Sequence, residues 1–211
     1  MPRLHYFYDP QCGWCYGVAP LIAAAATYPG LQLVLQPGCL WPRPTLLPAD
    51  VRDQIRRYDA HVARLSGQAY GEAYLQGLLR SDEMLLHSAP TVTAVLAAGE
   101  QAAGADLGML RAQQTGHYVR GLRVADPAVQ VTLAEELGLD VPLFRERLKS
   151  LDPRPAFARA QSLMRELGVQ GFPACFLEQR GRYTAVPPQD WFGNPSGYLG
   201  ALQGTLSESM H

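Results

Sequence analysis

Apolar and polar positions along this chain fall into three regimes. Leu4-His5-Tyr6-Phe7-Tyr8 is an aromatic-rich run stopped by Asp9-Pro10, which predicts a short buried strand. Val18 to Thr27, dominated by alanine, predicts a helix that Tyr28-Pro29-Gly30 ends. Leu31-Gln32-Leu33-Val34-Leu35 predicts a second strand, closed by Pro37-Gly38. Strand, helix and strand within about thirty residues make a βαβ unit, with parallel strands and a right-handed crossover.

From about Asp50 to Gly168 the spacing turns helical. Val51, Ile55, Tyr58, Val62 and Leu65 recur at helical intervals behind Asp50 as a cap. Ser88 with Pro90, and Asp126 with Pro127, start two more helices. Leu143, Phe144, Leu148 and Leu151 mark a fourth, and Phe157 to Leu167 a fifth that Gly168 ends. The last section returns to strands: Ala174–Leu177 and Tyr183–Val186 flank Gln179-Arg180-Gly181, a hairpin signal, before a final helix from Ser196 to Leu206. No internal repeat is evident. The order is β-α-β, a block of helices, then β-β-α, so the class is α/β with an all-helical insertion.

Composition narrows the function classes more than the fold. With 211 residues, 47% hydrophobic and 18% charged, the chain can bury a proper core, and disordered, collagen-like and coiled-coil architectures are excluded. A formal net charge of −1 gives no global attraction to nucleic acid or to anionic lipid. The opening run leaves no room for a secretory leader. The longest apolar stretch, Val18 to Ala26, is interrupted by Pro20 and falls short of the roughly 20 residues of a membrane span. A cytoplasmic protein that engages neither nucleic acid nor membrane is expected. In that compartment close cysteines point to catalysis or metal binding rather than to a structural disulfide.

Of the four cysteines, Cys12 and Cys15 stand in C-x-x-C spacing where the first strand hands over to a helix. Cys12 would lie at the helix start, where unpaired N–H groups and the positive end of the dipole stabilise a thiolate. Cys15, three residues on, shares its helical face and lies within reach for a disulfide. Cys12 would attack and Cys15 would resolve the mixed disulfide. Half of a zinc site is the rival reading, but Cys39 and Cys175 have no partner at metal-ligand spacing. No metal is expected.

A second motif, Gly168-Val169-Gln170-Gly171-Phe172-Pro173, precedes the third strand. It resembles the loop that carries a cis proline beside the C-x-x-C pair in the thioredoxin superfamily; an ordinary trans proline at a strand start is the alternative. Together, Asp9-Pro10-x-Cys12-x-Trp14-Cys15-Tyr16-Gly17, Val18-Ala19-Pro20 and this loop resemble the cytoplasmic branch of the DsbA family, predicted protein-disulfide isomerases related to FrnE. The likeness covers essentially the whole chain; its two motifs are specific, whereas the helical region matches only in kind. It implies a DsbA-like thioredoxin fold, with residues 1–44 and 153–211 forming the thioredoxin-like domain and 45–152 the inserted helical domain. It also implies thiol–disulfide exchange with a nucleophilic first cysteine, with Cys12 and Cys15 catalytic. A cis Pro173 would present the backbone of Phe172 to an extended substrate and keep metal ions off the dithiol. Gly13, Trp14, Phe172 and Pro173 are the expected substrate-binding set.

No resident cofactor is implied, with glutathione a possible co-substrate. Expected partners are protein or small-molecule disulfides, and glutathione or a thioredoxin–reductase system. The dipeptide Gly13-Trp14 is neither the Pro-His of strong periplasmic oxidants nor the Gly-Pro of thioredoxin. Such dipeptides tune potentials over roughly −270 to −120 mV, so the direction of exchange stays open.

Glutathione-dependent isomerases and transferases of the hydroxychromene-carboxylate and kappa type share this fold and form the alternative function. They typically carry a single serine in place of the pair. A binding module with a relic site is the third. Among the remaining residues, Trp41, Trp191 and Phe192 are candidates for an apolar groove. Cys175 reads as a small core residue, Cys39 as a thiol in a loop that could reach the site, and Asp9 as a turn cap. His5, His61, His87 and His117 read as surface or satisfied core histidines.

Overall fold

A computed structural model describes residues 1–208, the last of them by its backbone alone. At its centre is β1 (Arg3–Tyr8), buried at every position after Arg3. β2 (Gln32–Pro37) lies parallel to it, with Leu4 opposite Leu33 and Tyr6 opposite Leu35. On the other side β5 (Ala174–Gln179) runs antiparallel, setting Tyr6 against Cys175, and β6 (Arg182–Ala185) completes the order β2-β1-β5-β6. Flanked on both edges and covered on both faces, β1 needs no polar alternation, which is why it reads as a continuous apolar run. The β5–β6 hairpin turns through Arg180 and Gly181, both at positive φ (52° and 78°), the backbone of a tight two-residue turn.

Helices α1 (Gly13–Gly17) and α2 (Ala19–Ala26) connect β1 to β2, with a break at Val18. The single helix expected from Val18 onward therefore starts five residues earlier, at the cysteine motif itself. After the insertion, α8 (Arg154–Leu167) packs against β2, and α9 (Pro195–Glu208) packs against α2. Gly168 ends α8 at φ 69°, the left-handed residue that a helix C-terminus favours.

The inserted elements open with β3 (Thr45–Leu46), which pairs antiparallel with β4 (Leu85–Leu86), and the 18-residue α3 (Ala49–Ser66) lies between them. A π turn at Ala73–Gly77 and a 3-10 turn at Leu78–Arg80 follow. Then come α4 (Ser88–Gly99), α5 (Ala105–Tyr118), α6 (Pro127–Glu136) and α7 (Val141–Ser150). One apolar cluster runs from Leu4, Tyr6 and Tyr8 of the sheet through Val95 and Met109 to Leu133 and Phe144. The inserted helices and the sheet thus share a core. A second cluster, including Tyr16, Tyr74, Met84 and Tyr118, lies where α1 meets the insertion.

Three local expectations are corrected. On α3 Val62 is buried and Val51 and Ile55 pack against the second cluster as expected, whereas Tyr58 and Leu65 are exposed and Asp59 and Ser66 take the inward positions beside them. Asp50 stands inside the first turn and Pro48 occupies the cap. α5 was not expected at all. Its inward face carries Gln113, Gln114 and His117, polar residues that hide the helical period.

Candidate active site

Cys12 caps α1 with its own side chain. Its backbone is extended (φ −100°, ψ 114°), and its sulfur accepts the Cys15 N–H at 3.4 Å. The Cys12 Sγ also points at the carbonyl oxygen of Phe172, 3.9 Å away, and the Phe172–Pro173 peptide is cis. Gln189 fastens the far side of that loop by donating to the Pro173 carbonyl at 2.6 Å. The two thiols differ in access: Cys12 is 6% exposed and Cys15 is fully buried. Burial, together with the neighbouring Cys12, pushes the Cys15 thiol well above its ordinary value. Both cysteines are free thiols in this structure.

Cys12 lines one cavity, and the Phe172 loop beside it borders a second. On the Phe172 side, a groove of about 710 Å³ runs between the loop after β2 and α8, past Gly38, Cys39, Gln161 and Arg165. The Phe172 ring lies against Gly38 so closely that any side chain there would collide with it. Cys39 is exposed on this groove, whereas Cys175 is enclosed in β5, its thiol pushed up to about 12 by burial. On the insertion side, a smaller cavity of about 150 Å³ is lined by Cys12, Gly13 and Trp14, with Asp59 from α3 and His117 from α5. Trp14 is half-buried, edge-on to His61 and tilted against Phe192, with ring centroids 5.8 and 5.9 Å away. The expected substrate-binding residues thus split, with Gly13 and Trp14 on one side of the sulfur and Phe172 and Pro173 on the other.

The glycines of Cys-Gly-Trp-Cys-Tyr-Gly have a packing reason. Gly13 and Gly17 are four apart on α1 and face α3. A Cβ at Gly13 would stand 2.6 Å from Asp59 Oδ1, and one at Gly17 would stand 2.5 Å from the Val62 side chain. Asp59 cannot swing away, because the Tyr74 hydroxyl donates to its Oδ2 at 2.7 Å. Gly13→Ala is therefore expected to lower stability by about 2 kcal/mol through overpacking. Urea denaturation checks this, and an unchanged midpoint would contradict the close approach of α3.

Asp9 ties the cysteine loop to its surroundings. Fully buried, its Oδ1 accepts from Gln11 N–H (2.9 Å), and its Oδ2 accepts from Leu40 N–H (3.0 Å) and Ser88 Oγ–H (2.6 Å). The Gln11 side chain accepts from His87 N–H at 2.8 Å and donates to the Leu85 carbonyl at 3.3 Å. The expected turn cap is therefore one of three tethers, two of which reach the loop after β2 and the start of α4. Sequence reasoning also passed over Asp59, Tyr70 and Tyr74. The available signal was a carboxylate on the inward face of α3, three residues before Val62. His117, expected to be satisfied or at the surface, is buried with its Nδ1 unpartnered.

Among the described residues no group of three or more histidine, cysteine or acidic side chains could hold a metal ion, and no helix is long and apolar enough to cross a membrane.

No match was found among curated proteins. Among solved structures, the chain is similar to the cytosolic disulfide reductase DsbM from Pseudomonas aeruginosa, at 38% identity and TM-score 0.89, covering 97% of this chain and 98% of that one. A second structure of that reductase, with GSH, matches at 36% identity and TM-score 0.86, covering 97% and 99%. A 2-hydroxychromene-2-carboxylate isomerase shares the fold at 13% identity and TM-score 0.63, over 98% of this chain and 97% of its own. The model of the DSBA-like thioredoxin domain matches residues 3–197. The chain belongs to the family of DSBA-like thioredoxin domains.

Proposed function

We propose that this protein is a cytoplasmic thiol–disulfide oxidoreductase that works through Cys12 and Cys15. Cys12 is the nucleophile, Cys15 the resolving thiol, and glutathione the co-substrate. One observation carries the reading. The more exposed sulfur of the motif sits between the fully buried Cys15 and the Phe172 carbonyl, and it lines a cavity together with Gly13 and Trp14. The similarity to a cytosolic disulfide reductase, one of whose structures is with GSH, favours the reducing direction, the compartment and the co-substrate. No resident cofactor enters the scheme.

In this scheme the Cys12 thiolate attacks a substrate disulfide and Cys15 displaces the second substrate thiol, leaving a Cys12–Cys15 disulfide that glutathione reduces. Pro173 and the Phe172 backbone align the extended substrate, while Gly13 and Trp14 form the opposite wall. The thioredoxin-like part comprises residues 1–44 and 153–211, and the insertion, 45–152, supplies that wall.

The test is to equilibrate the protein with graded ratios of reduced and oxidised glutathione, quench by alkylation and read the mass shifts. The expected result is one two-electron transition that converts Cys12 and Cys15 together. Absence of a Cys12–Cys15 disulfide at every ratio would overturn the proposal.

A further inference from the structure

Asp59 is an expensive residue to keep. It is 3% exposed, no lysine or arginine lines its cavity, and its hydrogen-bond partner is a phenol, Tyr74 at 2.7 Å, with the Tyr70 hydroxyl close by and donating to the Gly13 carbonyl at 3.5 Å. A buried carboxylate without a cation costs free energy, and packing alone would be served as well by asparagine. Its position suggests what it does. The Oδ1 lies against the Cα of Gly13, the residue after Cys12, and both Asp59 and Cys12 line the same cavity of about 150 Å³. That volume has room for several water molecules at roughly 30 Å³ each. Two residues that line it, Trp41 and His117, each carry a buried ring nitrogen without a partner, Nε1 and Nδ1.

From this juxtaposition we infer that Asp59 is the proton-holding residue for Cys12, exchanging a proton with its sulfur through water in the shared cavity. The inference rests on the proposed redox role of Cys12. The Cys12 thiol gives its proton to the Asp59 carboxylate. The thiolate then attacks one sulfur of the substrate disulfide, so the Cys12–substrate bond forms as the substrate S–S bond breaks. The departing substrate thiolate takes the proton back from the Asp59 carboxylic acid, and the site returns to its starting charge. Cys12 and Asp59 thus share one proton, and both ionise together only at a cost in this enclosed space.

The groups that face Asp59 leave its charge uncompensated. Cys12 comes from the α1 cap, Tyr70 and Tyr74 from the segment after α3, and His117 and Tyr118 from α5. On its own helix stand Tyr58 and His61, the latter packed on Trp14. Burial pushes His117 down to about 4, so it is neutral at pH 7. Burial pushes Asp59 up to about 6 against the pull of Tyr74 and Tyr70, within reach of a thiol's titration.

The experiment follows iodoacetamide alkylation of Cys12, resolved by peptide mass, from pH 4.5 to 10 in the fully reduced protein. It needs no turnover, so it reads the coupling even if Cys12 fails to exchange disulfides, a failure that would belong to the proposed function instead. The wild-type rate is expected to rise in two steps. Asp59→Asn should give a single step, with alkylation at pH 7 faster by roughly three- to tenfold because the repelling charge is gone. Tyr74→Phe removes a donor to the carboxylate, and it should move the acid-side step to higher pH; this variant decides the matter if Asp59→Asn does not fold. In parallel, wild-type stability should fall as pH rises from about 4 to about 6, where the folded state holds a proton that the unfolded chain has lost. Asp59→Asn should show a shallower slope, the remainder coming from Asp9, which burial also pushes upward. A single-step wild-type profile that folded Asp59→Asn or Tyr74→Phe leaves unmoved would overturn the inference.

Discussion

Cys12→Ser is expected to abolish the proposed disulfide exchange, lowering turnover of a glutathione-coupled disulfide substrate by roughly a thousandfold or more, because no other thiol is placed to replace it. Cys15 is fully buried, with its thiol held far above the neutral range by that burial and by Cys12. Cys175 is shut inside β5, its thiol pushed up to about 12. Cys39 is exposed, but it is also pushed upward, by partial burial and by the carboxylate of Asp9. Serine fits the Cys12 site and keeps an oxygen to accept the Cys15 N–H, so the fold is expected to persist and the loss to be chemical. Cys15→Ala gives the complementary result. The first exchange proceeds at Cys12 and then stalls as a mixed disulfide, visible as a mass increase on the Cys12 peptide that dithiothreitol removes. In the wild type the second step needs the Cys15 thiolate, so resolution should accelerate as pH rises through the alkaline range. Full turnover by the Cys12 variant would mean that the accessible sulfur is not the reacting one.

Local signals explain which parts of this molecule could be read from sequence. β1, the β5–β6 hairpin and the end of α8 each announce themselves within a few residues: an aromatic run stopped by Asp9-Pro10, a turn at Arg180-Gly181, and Gly168 at a left-handed position. The starts of α6 and α7 are equally local, since Asp126 accepts from Ala128 N–H and Asp140 from Leu143 N–H. What was missed depends on distant neighbours. α5 buries two glutamines and a histidine because other helices surround it, and Gln113 finds a partner in the Thr91 carbonyl. β3 and β4 pair two residues each across forty positions, too short a match for any periodic pattern. The site divides the same way. The Cys12–Cys15 spacing and the Phe172–Pro173 loop are contiguous motifs, but 160 residues separate them, and their proximity could be inferred only from the fold they imply. Asp59 shows along the chain only as a carboxylate three residues before Val62, and on a charged helix that looks like ordinary surface. Only the approach of α3 to the two glycines of α1 makes it part of the site.

Asp9 is where the largest loss of stability is expected. Asp9→Ala leaves three donors without their acceptor, the N–H groups of Gln11 and Leu40 and the Ser88 hydroxyl, at a point where solvent does not reach. An orphaned buried donor costs about 1–3 kcal/mol. Against that sum stands relief from burying a carboxylate, whose titration burial pushes upward despite all three hydrogen bonds. The net expectation is a loss of about 3 kcal/mol, a fall in Tm of roughly 6–12 °C for a chain of this size. Asp9→Asn keeps an acceptor for two of the donors and should cost about 1 kcal/mol. The pH dependence has a definite sign. Because the folded state holds the Asp9 proton more tightly than the unfolded chain, wild-type stability falls as pH rises above the unfolded carboxylate value of about 3.9. Asp9→Ala keeps only the share of that decline that Asp59 supplies, so the gap between the two proteins should be wider near pH 4 than at pH 7. Urea titrations at both values measure it. The same variant should lose exchange activity beyond what unfolding explains, because Gln11 and Leu40, both walls of the cavity at Cys12, are held in register through this one carboxylate. A variant that matches wild type in midpoint and in activity would show that the loop keeps its shape without the tether.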